Sequence, residues 1–231
     1  MQAMRRMVLL MQDEAERNVL DRTEAMVRNR LSGESSGHDW WHVLRVRRNA
    51  ARIASAEEGV NIYVVELASL LHDISDWKFN GGDAAAGSRE AEEWLRRLGV
   101  PEETIRNVCT AISEVSFKGS GTSTIPSTLE GKIVQDADRL DAIGAIGIAR
   151  AFAYGGRMER EIYDPSVKPH MHLTFEEYKR SRSHTINHFY EKLLLLKDMM
   201  NTETARQLAV ERHDFMLAYI DRFKREWEGT L

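Results

Sequence analysis

The chain carries one cysteine, Cys109, and only four prolines among its 231 residues. A lone cysteine excludes an internal disulfide and any site made of paired thiolates, and it suits a reducing cytoplasm. Within TIRNVCTAI it reads as a small buried hydrophobe of a helix. No apolar run approaches the roughly 18 residues that a membrane-spanning helix needs. The opening MQAMRRMVLLMQDE turns acidic at once and has no small-residue cleavage pattern, so no secretory signal is read there. Positive charge is not in excess either: the net charge is −4, which removes the electrostatic case for nucleic-acid polymers. Two basic clusters, Arg45 with Arg47 and Arg48, and Arg96 with Arg97, read as solvated helix faces. The expectation is a cytoplasmic protein that handles something small.

What is present is helical periodicity. Helices are expected roughly at 12–31, 38–58, 60–75, 84–98, 101–117, 126–141, 141–154, 174–200 and 203–228, with no clear alternating strand. Pro101 followed by two glutamates is a good helix start. The run YGGRMEREIYDPSVKPHMHLT, about 154–174, is the one long irregular segment, and it reads equally as a lid over a site or a surface excursion. The last two amphipathic helices read as a hairpin packed on the core, with a homodimer surface as the second reading. The whole chain, 1–231, reads as one all-α domain: a catalytic core of about 20–155, then the irregular segment, then helices over about 174–228.

Three segments set polar residues into apolar helices. In GHDWWHVLRVRRNAARIA, His42 shares a stripe with Val46, Asn49 and Ile53, and His38 lies one turn earlier. A histidine there is a satisfied core residue or a ligand, and the stripe alone does not decide. In VNIYVVELASLLHDISDW a helix that is apolar on almost every side ends on His72, Asp73 and Asp76. A carboxylate at such a place needs a cation, several backbone donors or a metal. In GKIVQDADRLDAIGAIGIARAF, Asp136, Asp138 and Asp141 interrupt an apolar helix. One of them has Arg139 or Arg150 as a candidate partner, but three are hard to explain by surface ion pairs. Together the segments suggest two imidazoles and two carboxylates from three helices around a divalent ion. Mixed N/O ligation suits Mn²⁺, Fe²⁺, Co²⁺, Ni²⁺ or Zn²⁺ and disfavours a structural zinc site. No phosphate-binding glycine loop is present, since Gly131-Lys132 lacks the earlier glycine.

The order His42, His72-Asp73, Asp138 resembles the HD-domain metal-dependent phosphohydrolase superfamily. HDWWHVLRV, LLHDISDWKF, KIVQDADRLDAIGAIGIARAF and INHFYEKLLLLKDMMNTETARQLAVERHDFM further resemble a bacterial subfamily of small cytosolic HD proteins, from about residue 20 to 228. The resemblance implies a compact helical HD bundle and one divalent ion, Mn²⁺ favoured and Mg²⁺ also in range, on His42, His72, Asp73 and Asp138. It implies hydrolysis of a phosphorylated small molecule, with Asp76 taking a proton from the attacking water. His38 leads the groups that would steady charge on the phosphorus, followed by Lys78, Lys118, Lys132 and Arg139. His188 is a residue that approaches the site or packs between helices. Many HD proteins carry a further histidine where this chain reads AISEVSFKG, with Glu114 and Val115, which argues against a binuclear centre.

The subfamily resemblance tilts the reaction toward nucleoside triphosphate to monophosphate and pyrophosphate. The alternatives are a 5′-nucleotidase and a non-catalytic nucleotide sensor. Asp76→Asn should retain the metal, measured by elemental analysis, and lose most turnover. Unchanged rates would remove Asp76 from the mechanism.

Overall fold

The computed structural model describes residues 2–33, 39–74, 85–115, 125–170 and 183–231, with side chains from residue 13 onward. Every regular element among them is helical: α1 (Gln2–Leu31), α2 (Trp40–Ala54), α3 (Ile62–Leu71), α4 (Ala86–Arg97), α5 (Glu102–Val115), α6 (Leu129–Asp141), α7 (Gly144–Arg157), α8 (Thr185–Glu191), a 3-10 helix (Leu193–Met199) and α9 (Glu203–Trp227). The all-α expectation holds. No helix among the described residues is long and apolar enough to cross a membrane.

The apolar helix α3 lies at the centre and packs against α1, α2, α5 and α6. Seven of its ten residues are buried, Val64 through Leu71 with Glu66 the exception in that run. Even Glu66 is used, pairing with Arg47 of α2 at 2.9 Å while Arg47 also reaches Glu24 of α1 at 2.7 Å. Helix α2 packs along α6, and the two share the largest interface of the bundle. Starts are set by side-chain caps. Asp39 accepts from the His42 amide, Asn61 from that of Val64, Thr128 from that of Gly131 and Thr202 from that of Ala205. Asp39 is therefore the cap of α2, answering one of the free amides of its first turn.

Two expectations are corrected. Helix α1 begins at Gln2, about ten residues earlier than the periodicity suggested. The helix expected over 174–200 is replaced, from residue 183 on, by the seven-residue α8 and a 3-10 helix, separated by Lys192 at φ −143 and ψ −59. The four consecutive leucines explain the change. An α-helix would spread them around its circumference, whereas three residues per turn stack positions i and i+3. Leu193 and Leu196, so related, are 4% and 1% exposed. Of the irregular segment, residues 161–170 lie along α8: the amides of Thr185 and Ile186 donate to the carbonyls of Glu161 and Ile162, and His184 and Asn187 hold the carbonyl of Val167. Residues 171–182 lie outside the described residues.

Cys109 is half-buried and faces the Ser88 carbonyl, and burial, aided by Glu92, pushes its thiol up to about 11. It is an inert packing residue.

Asp136 of α6 is fully buried and joins the C-terminal helix to the bundle. Its carboxylate accepts from the amide and side chain of Asn201 and from the amide and hydroxyl of Thr202, with closest approaches of 2.8 Å. Thr202 in turn caps α9. Asp136→Ala would strand these donors in a dry place, so urea denaturation should show a loss of about 3 kcal/mol, with Asp136→Asn losing less. A variant as stable as the parent would show that the clamp contributes nothing.

Candidate metal centre

His42 occupies the first turn of α2 and is completely buried. Its Nδ1 lies 2.7 Å from Oδ2 of Asp141, the last residue of α6. A carboxylate in this setting only accepts, so Nδ1 carries the hydrogen and Nε2 presents its lone pair. His72 arrives at the same tautomer by another route. It caps the C-terminus of α3, and its Nδ1 lies 2.8 Å from the Ser69 carbonyl, one of the free carbonyls of that last turn. Its Nε2 is therefore bare as well.

The two Nε2 atoms face each other at 3.2 Å, with the rings nearly edge-on. Asp73 Oδ2 is 3.2 Å from His42 Nε2 and 3.6 Å from His72 Nε2, and Asp138 Oδ1 is 3.5 Å from His42 Nε2. Ligand atoms of His42, His72 and Asp73 all fall within 4.8 Å of one another. Lone pairs turned inward from imidazoles and carboxylates repel unless a cation lies among them. A divalent ion meets that need, and the donor set is of the mixed N/O kind such ions take. Burial and the Arg150 charge push His42 down, but its hydrogen bond to Asp141 and the negative charge of Asp73 outweigh them and raise it to about 9. The histidine side chains are 0% and 2% exposed while Asp73 and Asp138 are 17% and 31% exposed, so the carboxylates form the open side.

Behind His42 stands a network that the sequence reading did not assign. Asp141 is held by Arg45 through Nε at 2.6 Å and Nη2 at 3.0 Å, and by Arg150 of α7 at 2.9 Å. Burial opposes its ionisation, but the hydrogen bonds from His42 and Arg45 and the Arg150 charge hold it well below the usual carboxylate range. The spacing carried a signal. Arg45 follows His42 by three residues and Asp141 follows Asp138 by three, so each pair shares a helix face. Arg45 is thus not the freely solvated group expected of that basic cluster. Arg150, foreseen as a partner for one of the aspartates, does pair with Asp141.

The four residues His42, His72, Asp73 and Asp138 are brought together from α2, the end of α3 and α6. Of the others singled out, His38, Asp76, Lys78 and Lys118 lie outside the described residues. Lys132 is on α6, six residues before Asp138 and hence about 9 Å along the axis and roughly 120° round it. Arg139 is buried and donates to the Met199 carbonyl, which gives its guanidinium a structural task between α6 and the 3-10 helix. His188 sits on α8, which packs against α7 and the 3-10 helix. Glu114 accepts from the amide and hydroxyl of Ser127, and Val115 is buried.

The HD domain model matches residues 40–143, the stretch that holds all four residues. YpgQ of Bacillus subtilis is 41% identical over 204 residues, which are 88% of this chain and 91% of that one. Its structure in complex with ADP covers 92% of this chain and 96% of its own, at 34% identity and a TM-score of 0.69. A solved protein of Lactobacillus plantarum has a TM-score of 0.81 and 38% identity, over 92% of this chain and 98% of that one. A solved HD-superfamily hydrolase of Bacillus thuringiensis is 41% identical, with a TM-score of 0.71 and the same two coverages. Sequence, fold and the inward-facing donors agree, and the chain belongs to the HD superfamily of metal-dependent phosphohydrolases.

Proposed function

We propose that this chain hydrolyses nucleotides, converting a nucleoside triphosphate to its monophosphate and pyrophosphate, with one divalent ion, Mn²⁺ favoured, on His42, His72, Asp73 and Asp138. The observation that carries the metal assignment is the pair of imidazole Nε2 atoms turned toward each other, 3.2 Å apart, beside the Asp73 carboxylate. A nucleotide as substrate draws support from the ADP complex of YpgQ. An ion so held polarises a phosphoryl oxygen and brings the pKa of water toward neutrality.

The chain's own residues have separable tasks. Asp141 keeps the hydrogen of His42 on Nδ1 and its lone pair aimed inward, and the Ser69 carbonyl does the same for His72. Arg45 and Arg150 keep Asp141 ionised and in place. Asp73 and Asp138, on the more exposed side of the cluster, supply the negative charge that would hold the ion. Asp76, three residues beyond Asp73, accepts the proton of the attacking water. His38 donates toward the phosphoryl charge.

Two measurements test this reading. Asp141→Asn should weaken Mn²⁺ binding by about 10- to 100-fold, as read by competition with a chelating dye, because an amide can present its NH₂ to Nδ1 and release the tautomer. Unchanged affinity would separate Asp141 from the metal. The reaction itself is read by stripping the protein of metal, restoring Mn²⁺, Co²⁺ or Mg²⁺, and assaying nucleoside mono- and triphosphates for phosphate and pyrophosphate. Pyrophosphate from triphosphates in the restored protein only is the expected result. Phosphate from monophosphates alone would make the chain a 5′-nucleotidase, and neither product from metal-loaded protein would overturn the hydrolytic reading.

A further inference from the structure

Four of the five tryptophans are described, and three have evident structural tasks. Trp40 is buried in the core. Trp94 donates its indole hydrogen to Thr23 at 3.0 Å and lies under Arg97. Trp227 is half exposed but stacks on Phe223 and meets Tyr163 edge-on at 5.2 Å. Trp41 differs. It is 58% exposed and, among the described residues, makes no hydrogen bond, ring contact or cation–π pair. Leaving so large an apolar surface in water forgoes stabilisation of about 25 cal/mol for each Å² that burial would remove.

Its position is informative. Trp41 immediately precedes His42, and consecutive Cα atoms are about 3.8 Å apart. The indole is therefore carried on the chain directly beside a member of the cluster. The α2 face that carries Trp41 continues through Arg45 at i+4 and Arg48 at i+7. Arg45 is partly exposed while it holds Asp141, and Arg48 is exposed. The outer face of α2 beside His42 is thus aromatic and then cationic. A nucleoside phosphate presents the complement, a flat π-face joined to a chain of negative charge. A sugar phosphate or an inorganic polyphosphate offers the charge without the face.

We propose that Trp41 is the platform on which the base of a nucleoside phosphate stacks while its phosphates meet His42, His72, Asp73 and Asp138. The inference rests on the nucleotide reading above and adds to it a class of ligand: aromatic bases of any identity, since stacking needs a ring face and no particular edge.

The test is calorimetric titration of Mn²⁺-loaded protein with ADP and, separately, with inorganic tripolyphosphate, for the parent, Trp41→Ala and Trp41→Phe. Loss of one stacked base should weaken ADP binding by about ten-fold or more in Trp41→Ala, leave tripolyphosphate affinity unchanged, and be largely restored in Trp41→Phe. Equal ADP affinity in the parent and Trp41→Ala, an equal loss for tripolyphosphate, or a parent that does not bind ADP would each overturn the platform. Trp41-dependent ADP binding by a protein that turns over no nucleotide would uphold the platform and sink the hydrolytic reading instead.

Discussion

The buried carboxylate of Asp141 joins three helices at one point, taking His42 and Arg45 from α2 and Arg150 from α7 while ending α6 itself. Much of the centre depends on it. A carboxylate in this position without cations would carry a desolvation cost of several kcal/mol, so the two arginines are needed for it to remain ionised. Ionised, it fixes the imidazole of the buried His42 through Nδ1. The direction of one lone pair thus depends on two guanidinium groups that lie behind the ring.

The other histidine is organised without charge. Helix α3 is apolar almost throughout because it is surrounded by α1, α2, α5 and α6, and its last turn ends on its C-cap, His72. That turn leaves carbonyls without intrahelical partners. His72 answers the Ser69 carbonyl with its own ring and so turns its remaining nitrogen toward His42. One histidine is set by a salt-bridge network and the other by a helix terminus. The two means are independent, and a change that disturbs one leaves the other in place.

The fold class and the four clustered residues were legible in the sequence for the same reason: polar groups set into strongly apolar helices stand out against the 3.6-residue period. The roles of the three aspartates on α6 were not. Asp136, Asp138 and Asp141 look alike in QDADRLD, yet one clamps α9, one joins the cluster and one sets a tautomer. Their separation depends on which neighbour each helix face meets, and that is tertiary information. The contact of Arg139 was hidden for a similar reason, since a buried guanidinium on a carbonyl 60 residues away leaves no local trace. The long helix expected over 174–200 failed because four adjacent leucines have no single helical face to share, and a tighter winding buries them better.

The Asp136 clamp also bears on where this protein can be divided. The stretch that matches the HD family ends at residue 143 and already contains His42, His72, Asp73, Asp138 and Asp141. Yet a fragment cut there would lose Asn201 and Thr202, the donors on Asp136, and Arg150, one of the cations on Asp141. It would keep the ligands and leave two neighbouring carboxylates of α6 short of partners, both within three residues of Asp138. The ligand cluster and the partners that hold its helix in place therefore occupy different lengths of the same chain.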